Sequence, residues 1–356
     1  MHSRVFAVAL STGLGLAALA AAWHLVPPFP SRLHPCGSAL AVYAGIVATY
    51  HVVRAWRWHV LVRPNDHAPA TSHLTIAWIG FAWIALLPMR LGEFVRPALL
   101  ARRRQVSFVA ATGSILVERL VDAAIISGLF LILAGTALAD HGRRPEIGTL
   151  VRGSALIAAT LFVVSVGLVV AALARGRVET WAFDPLAPRL PRLVARLRTV
   201  VEELARGLSV LTDPGTRRRF VAATGAYWAL NAAGMWQLAT AHGLDLPYAQ
   251  SLTLIAVLGL TLLLPAAPAQ AGPFQLGLAL GLQLAANPAP PDEIASSYLA
   301  SCYAVQLGVI VAFGAASHVW LGLGWRSVLG AREASRQPHA DPGPQPRASQ
   351  RRPPQG

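Results

Sequence analysis

Apolar residues in this chain are gathered into runs about as long as a bilayer is thick. A helix rising about 1.5 Å per residue needs about 20 mostly apolar residues to cross the hydrocarbon layer. Runs of this kind, some shorter and some longer, occupy Val5–Val26, Ser38–Val62, Ser72–Leu87, Val106–Leu138, Val151–Leu173, Phe220–Ala241, Leu246–Leu264 with Gly272–Ala286, and Ile294–Trp325. The first could instead be a secretory signal, with small residues at Leu19–Ala22 near a possible cleavage point. Its length and its single basic residue, Arg4, favour a span.

Two places interrupt the pattern. After Ser72–Leu87 the chain reads Pro88-Met-Arg-Leu-Gly92-Glu-Phe-Val-Arg-Pro97, and after Leu246–Leu264 it reads Pro265-Ala-Ala-Pro268-Ala-Gln-Ala-Gly272-Pro273. Proline lacks a backbone donor and clashes with the preceding turn, so both helices are expected to stop there. Freed backbone groups are tolerated in a membrane only inside protein or beside water. Both breaks therefore read as re-entrant hairpins or broken helices, with ordinary surface loops as the alternative. A different period appears at Leu190, Leu193, Val194, Leu197, Val200, Val201, Leu204 and Leu208, opposite Arg192, Arg196, Arg198, Glu202 and Glu203. This predicts an amphipathic helix near 190–212, lying in the headgroup layer or packed on another cytoplasmic element. Residues 331–356, rich in Pro, Gln and Arg, cannot build a core and are expected to be a disordered tail after a membrane domain spanning 1–330.

Composition agrees with the pattern. The chain is 54% hydrophobic and only 13% charged, with a mean hydropathy of +0.50, against roughly 25% charged residues in soluble domains. A soluble enzyme is excluded on that count. All 30 basic residues are Arg, which removes a Walker A lysine and any Schiff-base chemistry. The formal charge of +14 does not point to nucleic acid, because the arginines cluster between apolar runs and face an anionic membrane surface. Cys36 and Cys302 support neither a disulfide framework nor a metal site, and the 11 histidines form no HExxH. No cofactor is expected.

Short cytoplasmic loops are rich in arginine. With the N-terminus inside and both breaks returning to the side they came from, 21 arginines are cytoplasmic and four are outside. A rival topology, with the N-terminus outside and the first break spanning, gives a similar imbalance. Both put the C-terminus in the cytoplasm. Five arginines remain at membrane depth, Arg54, Arg57, Arg90, Arg96 and Arg119, beside three acids, Glu93, Glu118 and Asp122.

Charges in hydrocarbon are costly unless paired or wetted. Arg90, Glu93 and Arg96 form one helical stripe at three-residue steps, while Glu118 and Asp122 share a face with Arg119 one turn from Asp122. If the two motifs face each other they neutralise while leaving an arginine fork partly free, and such a fork suits a phosphate. An ion network that only ties helices together is the alternative. A general acid–base pair at Glu118 and Asp122 has no nucleophile near it in sequence. Arg54, Arg57 and Trp58, beside Trp56, read as an interfacial belt with snorkelling arginines. Asn231, Gln237 and Gln306 read as helix-to-helix hydrogen bonders.

These motifs, in this order, resemble the lysylphosphatidylglycerol synthase transmembrane-region, or flippase-like, family. The resemblance rests on Arg54-x-x-Arg57-Trp58, Arg90-x-Gly92-Glu93-x-x-Arg96, Glu118-Arg119-x-x-Asp122 and the late Pro265-x-x-Pro268 with Gly272 and Phe274, and it reaches to about Trp325. Family members typically carry Pro-Gly-Gly-x-Gly and then an acid at the late break; here Ala269, Gln270 and Gln275 stand at the first two glycines and the acid. The resemblance implies a protein that moves a lipid or lipid-linked molecule between leaflets. It also implies no aminoacyl transfer, because this chain reads as the translocating half without the soluble synthase domain.

The expectation is therefore an all-α, polytopic membrane bundle of about 6–8 transmembrane segments with two re-entrant or broken helices, in the inner cell membrane. It would translocate an anionic lipid or lipid-linked substrate and not act as an enzyme. Arg90, Glu93, Arg96, Glu118, Arg119 and Asp122 would contact substrate, and Pro88, Gly92, Pro265, Pro268 and Gly272 would break the helices. A non-transporting scaffold for a lipid-modifying enzyme is the alternative.

Overall fold

A computed structural model describes residues 26–64, 66–103, 106–139, 145–174, 183–263, 268–286 and 289–322, together with Gly13, Arg177 and Glu179. The first apolar run, Pro265 and the tail at 331–356 lie outside these residues. All regular elements among them are helical, as the long apolar runs require: a backbone in lipid must satisfy its own hydrogen bonds. Apart from a single helical turn at Asp184–Leu186, the α-helices in chain order are α1 (Gly37–Val62), α2 (Ala70–Leu86), α3 (Val95–Arg103), α4 (Phe108–Ala139), α5 (Pro145–Leu173), α6 (Pro191–Ser209), α7 (Pro214–Ala241), α8 (Tyr248–Thr261), α9 (Pro273–Ala285) and α10 (Asp292–Trp320). Short 3-10 stretches cover Pro88–Phe94, Val210–Thr212 and Pro268–Gln270.

Gly37–Val62, Arg152–Leu173 and Asp292–Trp320 are each long and apolar enough to cross a membrane. Helix α5 turns Leu156, Ile157, Val163, Val164, Val170 and Leu173 outward. An apolar face of that length is stable against lipid and unstable against water. The main core joins α1, α7, α8, α9 and α10 through Tyr43, Val47, Met235, Leu254, Leu278 and Tyr298. A second core gathers Trp58, Ile76, Ile79, Phe81, Leu99 and Ile115 from α1 to α4. Gln237 donates to the Ala39 carbonyl (3.3 Å) and Gln306 to the Tyr43 hydroxyl (3.0 Å), so both bond across helices.

Both proline-marked breaks are re-entrant. Helix α2 has 17 residues, α8 14 and α9 13, too few to cross about 30 Å of hydrocarbon. Contacts between chain ends fix the sidedness. Ser31 bonds Glu293, and the His34 amide bonds Ser297 (2.9 Å), so the start of α1 and the start of α10 share one end of the bundle. At the other end, Arg103 donates to the Leu321 carbonyl (2.9 Å), and Arg63 and Arg219 line one cavity. Helix α2 therefore leaves from the end to which α3 returns. The rival topology would put Ser31 and Glu293 on opposite faces of the membrane, and these contacts rule it out. The α8–α9 hairpin enters from the other end, where His242 bonds Ser297 (3.1 Å).

The hairpin tips meet inside the bundle. Arg90 Nη1 donates to the Leu262 carbonyl (2.9 Å), and the Tyr303 hydroxyl donates to the Ala269 carbonyl (2.9 Å). Gly92 lies against the last turn of α2, where a β-carbon would land on the Trp83 carbonyl and the Ile84 nitrogen. Pro97 falls in the first turn of α3, where its missing donor costs nothing, so it starts a helix instead of ending one. The amphipathic helix is present as α6. It buries Val194, Val201, Leu204 and Leu208 on the bundle while Leu190, Leu193, Leu197 and Val200 stay accessible. Protein thus covers one part of its apolar stripe and leaves the other part outward.

Candidate functional site

The five arginines and three acids at membrane depth converge on one region. Helix α4 supplies Glu118, Arg119 and Asp122, the first hairpin supplies Arg90, Glu93 and Arg96, and α1 supplies Arg54 and Arg57. Glu118 is the hub. It accepts from Arg57 Nε (3.3 Å) and from Arg96 Nη1 (3.0 Å), and the side chains of all three have no exposed surface. Arg57 also forms a two-pronged pair with Asp122, at 2.6 and 2.8 Å. Planar forks of this kind give the strongest guanidinium–carboxylate contacts.

Arg57 is thus no snorkelling residue, and Trp58 is no part of an interfacial belt. The Arg57 guanidinium is buried beside the rings of Tyr227 (5.1 Å) and Phe220 (6.0 Å) of α7. Trp58 is fully buried and donates to Ser114 Oγ (3.0 Å). Only Trp56, 44% exposed, fits the belt. The physical reason is charge: Glu118 and Asp122 are sealed inside, and each needs a cation that can make several hydrogen bonds. The signal available in the sequence was the five-to-three count itself, which the two motifs alone, three arginines and three acids, do not account for.

The outer layer is wetter. Arg90 pairs with Glu93 at 3.2 Å, and Arg119 lies 4.0 Å from Glu93 and 3.4 Å from Asp122. The side chains of Arg90, Glu93 and Arg119 are each 22–25% exposed. Arg54 stacks over Phe81 at 4.4 Å. Arg96 lies 5.3 Å from both Trp58 and Phe81, and Gly80 makes room for its side chain. Five guanidiniums against three carboxylates leave a surplus of two positive charges. Arg54 Nε, Arg90 Nε, Arg96 Nε and Nη2, and Arg119 Nε and Nη2 are buried with no hydrogen-bond partner among the described residues. Such donors are costly to leave unmade.

Of the helix-break residues, Gly92 provides a close backbone approach and Gly272 takes a left-handed φ of 92°. Pro268 opens the short 3-10 turn of the late break and is exposed, Pro88 begins the 3-10 stretch after α2, and Pro265 lies outside the described residues. Among the described residues, three other than glycine adopt left-handed φ, and all three are at the breaks: Arg90 (54°), Ala269 (62°) and Gln270 (59°). The chain keeps glycine-type geometry at Ala269 and Gln270 without the glycines. Gln275, where the family resemblance leads one to expect an acid, accepts the Gly272 amide at 2.9 Å and caps α9.

Neither a curated protein nor a solved structure matches the chain. A family model described as the lysylphosphatidylglycerol synthase TM region matches residues 3–322, which takes in every element described above. The chain belongs to that family.

Proposed function

We propose that this protein carries an anionic lipid or lipid-linked molecule between membrane leaflets, with the outer arginine layer as the place where the negative headgroup passes. One observation carries the reading. Buried guanidinium donors without partners, in a cluster holding two more positive charges than negative ones, lie where two hairpins from opposite ends of the bundle touch. A net surplus of two positive charges in a membrane interior is costly unless an anion or water offsets it. A phosphate engages a guanidinium through two parallel bonds. Broken helices near the midplane are also where transporters commonly hold substrate.

On this reading the two layers divide the work. Arg57, Arg96 and Glu118 fix the helices, while Arg54, Arg90 and Arg119 face the cargo. The three carboxylates are committed to guanidiniums, which suits charge balance and not proton transfer, so the protein is a carrier and not an enzyme. Membrane lipids are its partners on this reading, and the arginine-rich loops support a cytoplasmic location for the Arg63 and Arg219 end.

The test is a leaflet assay with purified protein in vesicles. Labelled anionic lipid is expected to equilibrate faster than in protein-free vesicles, and Arg90→Ala is expected to lower the rate about tenfold or more, as lost charge-assisted contacts of about 1.5–3 kcal/mol imply. Rates no higher than those of empty vesicles would sink the proposal.

A further inference from the structure

A second polar cluster lies next to the arginine network on the side of the bundle end, where the last two turns of α1 meet the first turns of α7. A cavity of about 650 Å³ there is lined by Trp56, His59, Val60, Arg63, Pro64, His67, Thr216 and Arg219. That volume is in the range of small-molecule sites. Behind its wall runs a chain of three titratable groups. His59 Nδ1 and His73 Nδ1 are 2.8 Å apart, and His73 Nε2 is 3.0 Å from Asp66 Oδ2. Both imidazoles are buried.

With both rings neutral, hydrogen-bond accounting sets the protons. An ionised Asp66 only accepts, so His73 donates from Nε2, and its Nδ1 is then the acceptor of the neutral ring. His59 must therefore donate from Nδ1, which leaves its Nε2 with a lone pair. The one side-chain hydrogen bond of His59 among the described residues is the one at Nδ1, and the residue lines the cavity. The cavity thus combines two guanidiniums, on Arg63 and Arg219, with one strong acceptor held in a set tautomer by a relay ending in a carboxylate.

We propose that this cavity binds a phosphate monoester. Arg63 and Arg219 hold its charged oxygens, and His59 Nε2 accepts the hydrogen bond of its remaining acidic P–O–H. A phosphodiester offers no such proton, so the lone pair of His59 discriminates against it. The apolar side made by Trp56 and Val60 accommodates the acyl region of a lipid monoester, while free phosphate shares the same recognition chemistry. The complex retains one proton between ligand and His59. Binding therefore weakens as pH rises above the second pKa of the monoester, about 6, approaching tenfold per pH unit. The groups facing His59 in this balance are Arg63 on its own helix, Asp66 and His67 in the loop, His73 on α2 and Arg219 on α7. No residue of the cavity belongs to the arginine network, so this inference and the transport proposal stand or fall separately.

The test is calorimetric titration of the full chain in detergent with three ligands: short-chain phosphatidic acid, short-chain phosphatidylglycerol and inorganic phosphate. Phosphatidic acid is expected to bind at least tenfold more tightly than phosphatidylglycerol. Weaker binding of inorganic phosphate than of phosphatidic acid assigns the site to a lipid, and equal binding assigns it to the free anion. Arg219→Gln and Arg63→Gln, both at exposed positions, should each weaken binding at least tenfold, and His59→Gln should remove the pH dependence. Equal affinity for the diester, or no loss in either arginine variant, overturns the proposal.

Discussion

Arg57 makes three hydrogen bonds to two carboxylates from a position with no exposed surface. Breaking such a pair leaves uncompensated buried charge, at about 3–5 kcal/mol. Arg57→Met should therefore lower the melting midpoint of the detergent-solubilised protein sharply. Arg57→Met combined with Asp122→Leu should recover more than half of that loss, because Glu118 still holds Arg96. A double variant no better than the single one would show that the stability lies elsewhere. The need for Arg57 was hard to read from sequence. Its neighbours, Trp56 and Trp58, imitate an interfacial belt, and its partner Asp122 is 65 residues away. Membrane depth and total charge were legible; which arginine meets which acid was not, because pairing depends on how α1 and α4 pack.

Ala269 and Gln270 hold left-handed backbone that costs an L-residue about 1–2 kcal/mol, against about 0.5–1 kcal/mol of chain entropy for glycine. Ala269→Gly and Gln270→Gly should each stabilise the late hairpin by about 0.5–1 kcal/mol, read as a higher melting midpoint. A lower midpoint for either would mean that the strain is relieved by contacts of the side chain. At the start of α7, the Asp213 carboxylate accepts the Thr216 amide (2.7 Å), and this bond holds its pKa below the usual aspartate value. A depressed pKa adds stability that is complete above the ordinary value of about 3.9 and fades as pH falls through the lower folded value. Acid should therefore fray α7 in the parent protein, while Asp213→Asn, which can still accept that bond, should flatten the response in a melting series below pH 5. The apolar runs placed α1, α2 and α4 within two residues at each end, since hydropathy decides membrane burial. Helix α5, however, begins six residues before its run, at Pro145, and α10 ends five residues before its run does, at Trp320. The start of α7 was misplaced by six residues, Phe220 against Pro214, because Arg217, Arg218 and Arg219 carry no apolar signal there although Asp213 and Pro214 mark a helix start.

For the whole molecule, the end-to-end contacts make a labelling prediction. Cys36 is exposed at the end shared by Ser31 and Glu293. A membrane-impermeant maleimide should reach it from one side only, and should reach Arg63→Cys and Arg219→Cys, in a Cys36→Ser background, only from the other. Labelling of all three from one side would sink the two-hairpin topology. That topology was half legible, since the prolines located both breaks, whereas the choice between hairpin and crossing rested on Ser31, His34 and Arg103, whose partners are 218 to 263 residues away.

Arg90 joins these scales. It sits in strained backbone, pairs with Glu93, and spends one of its N–H groups on the Leu262 carbonyl at the tip of the opposing hairpin. Anything that claims that guanidinium in full must first outcompete a main-chain oxygen. If the proposed cargo takes that guanidinium in full, the bond between the two hairpins is the one it displaces, and that bond re-forms without outside energy once the cargo leaves.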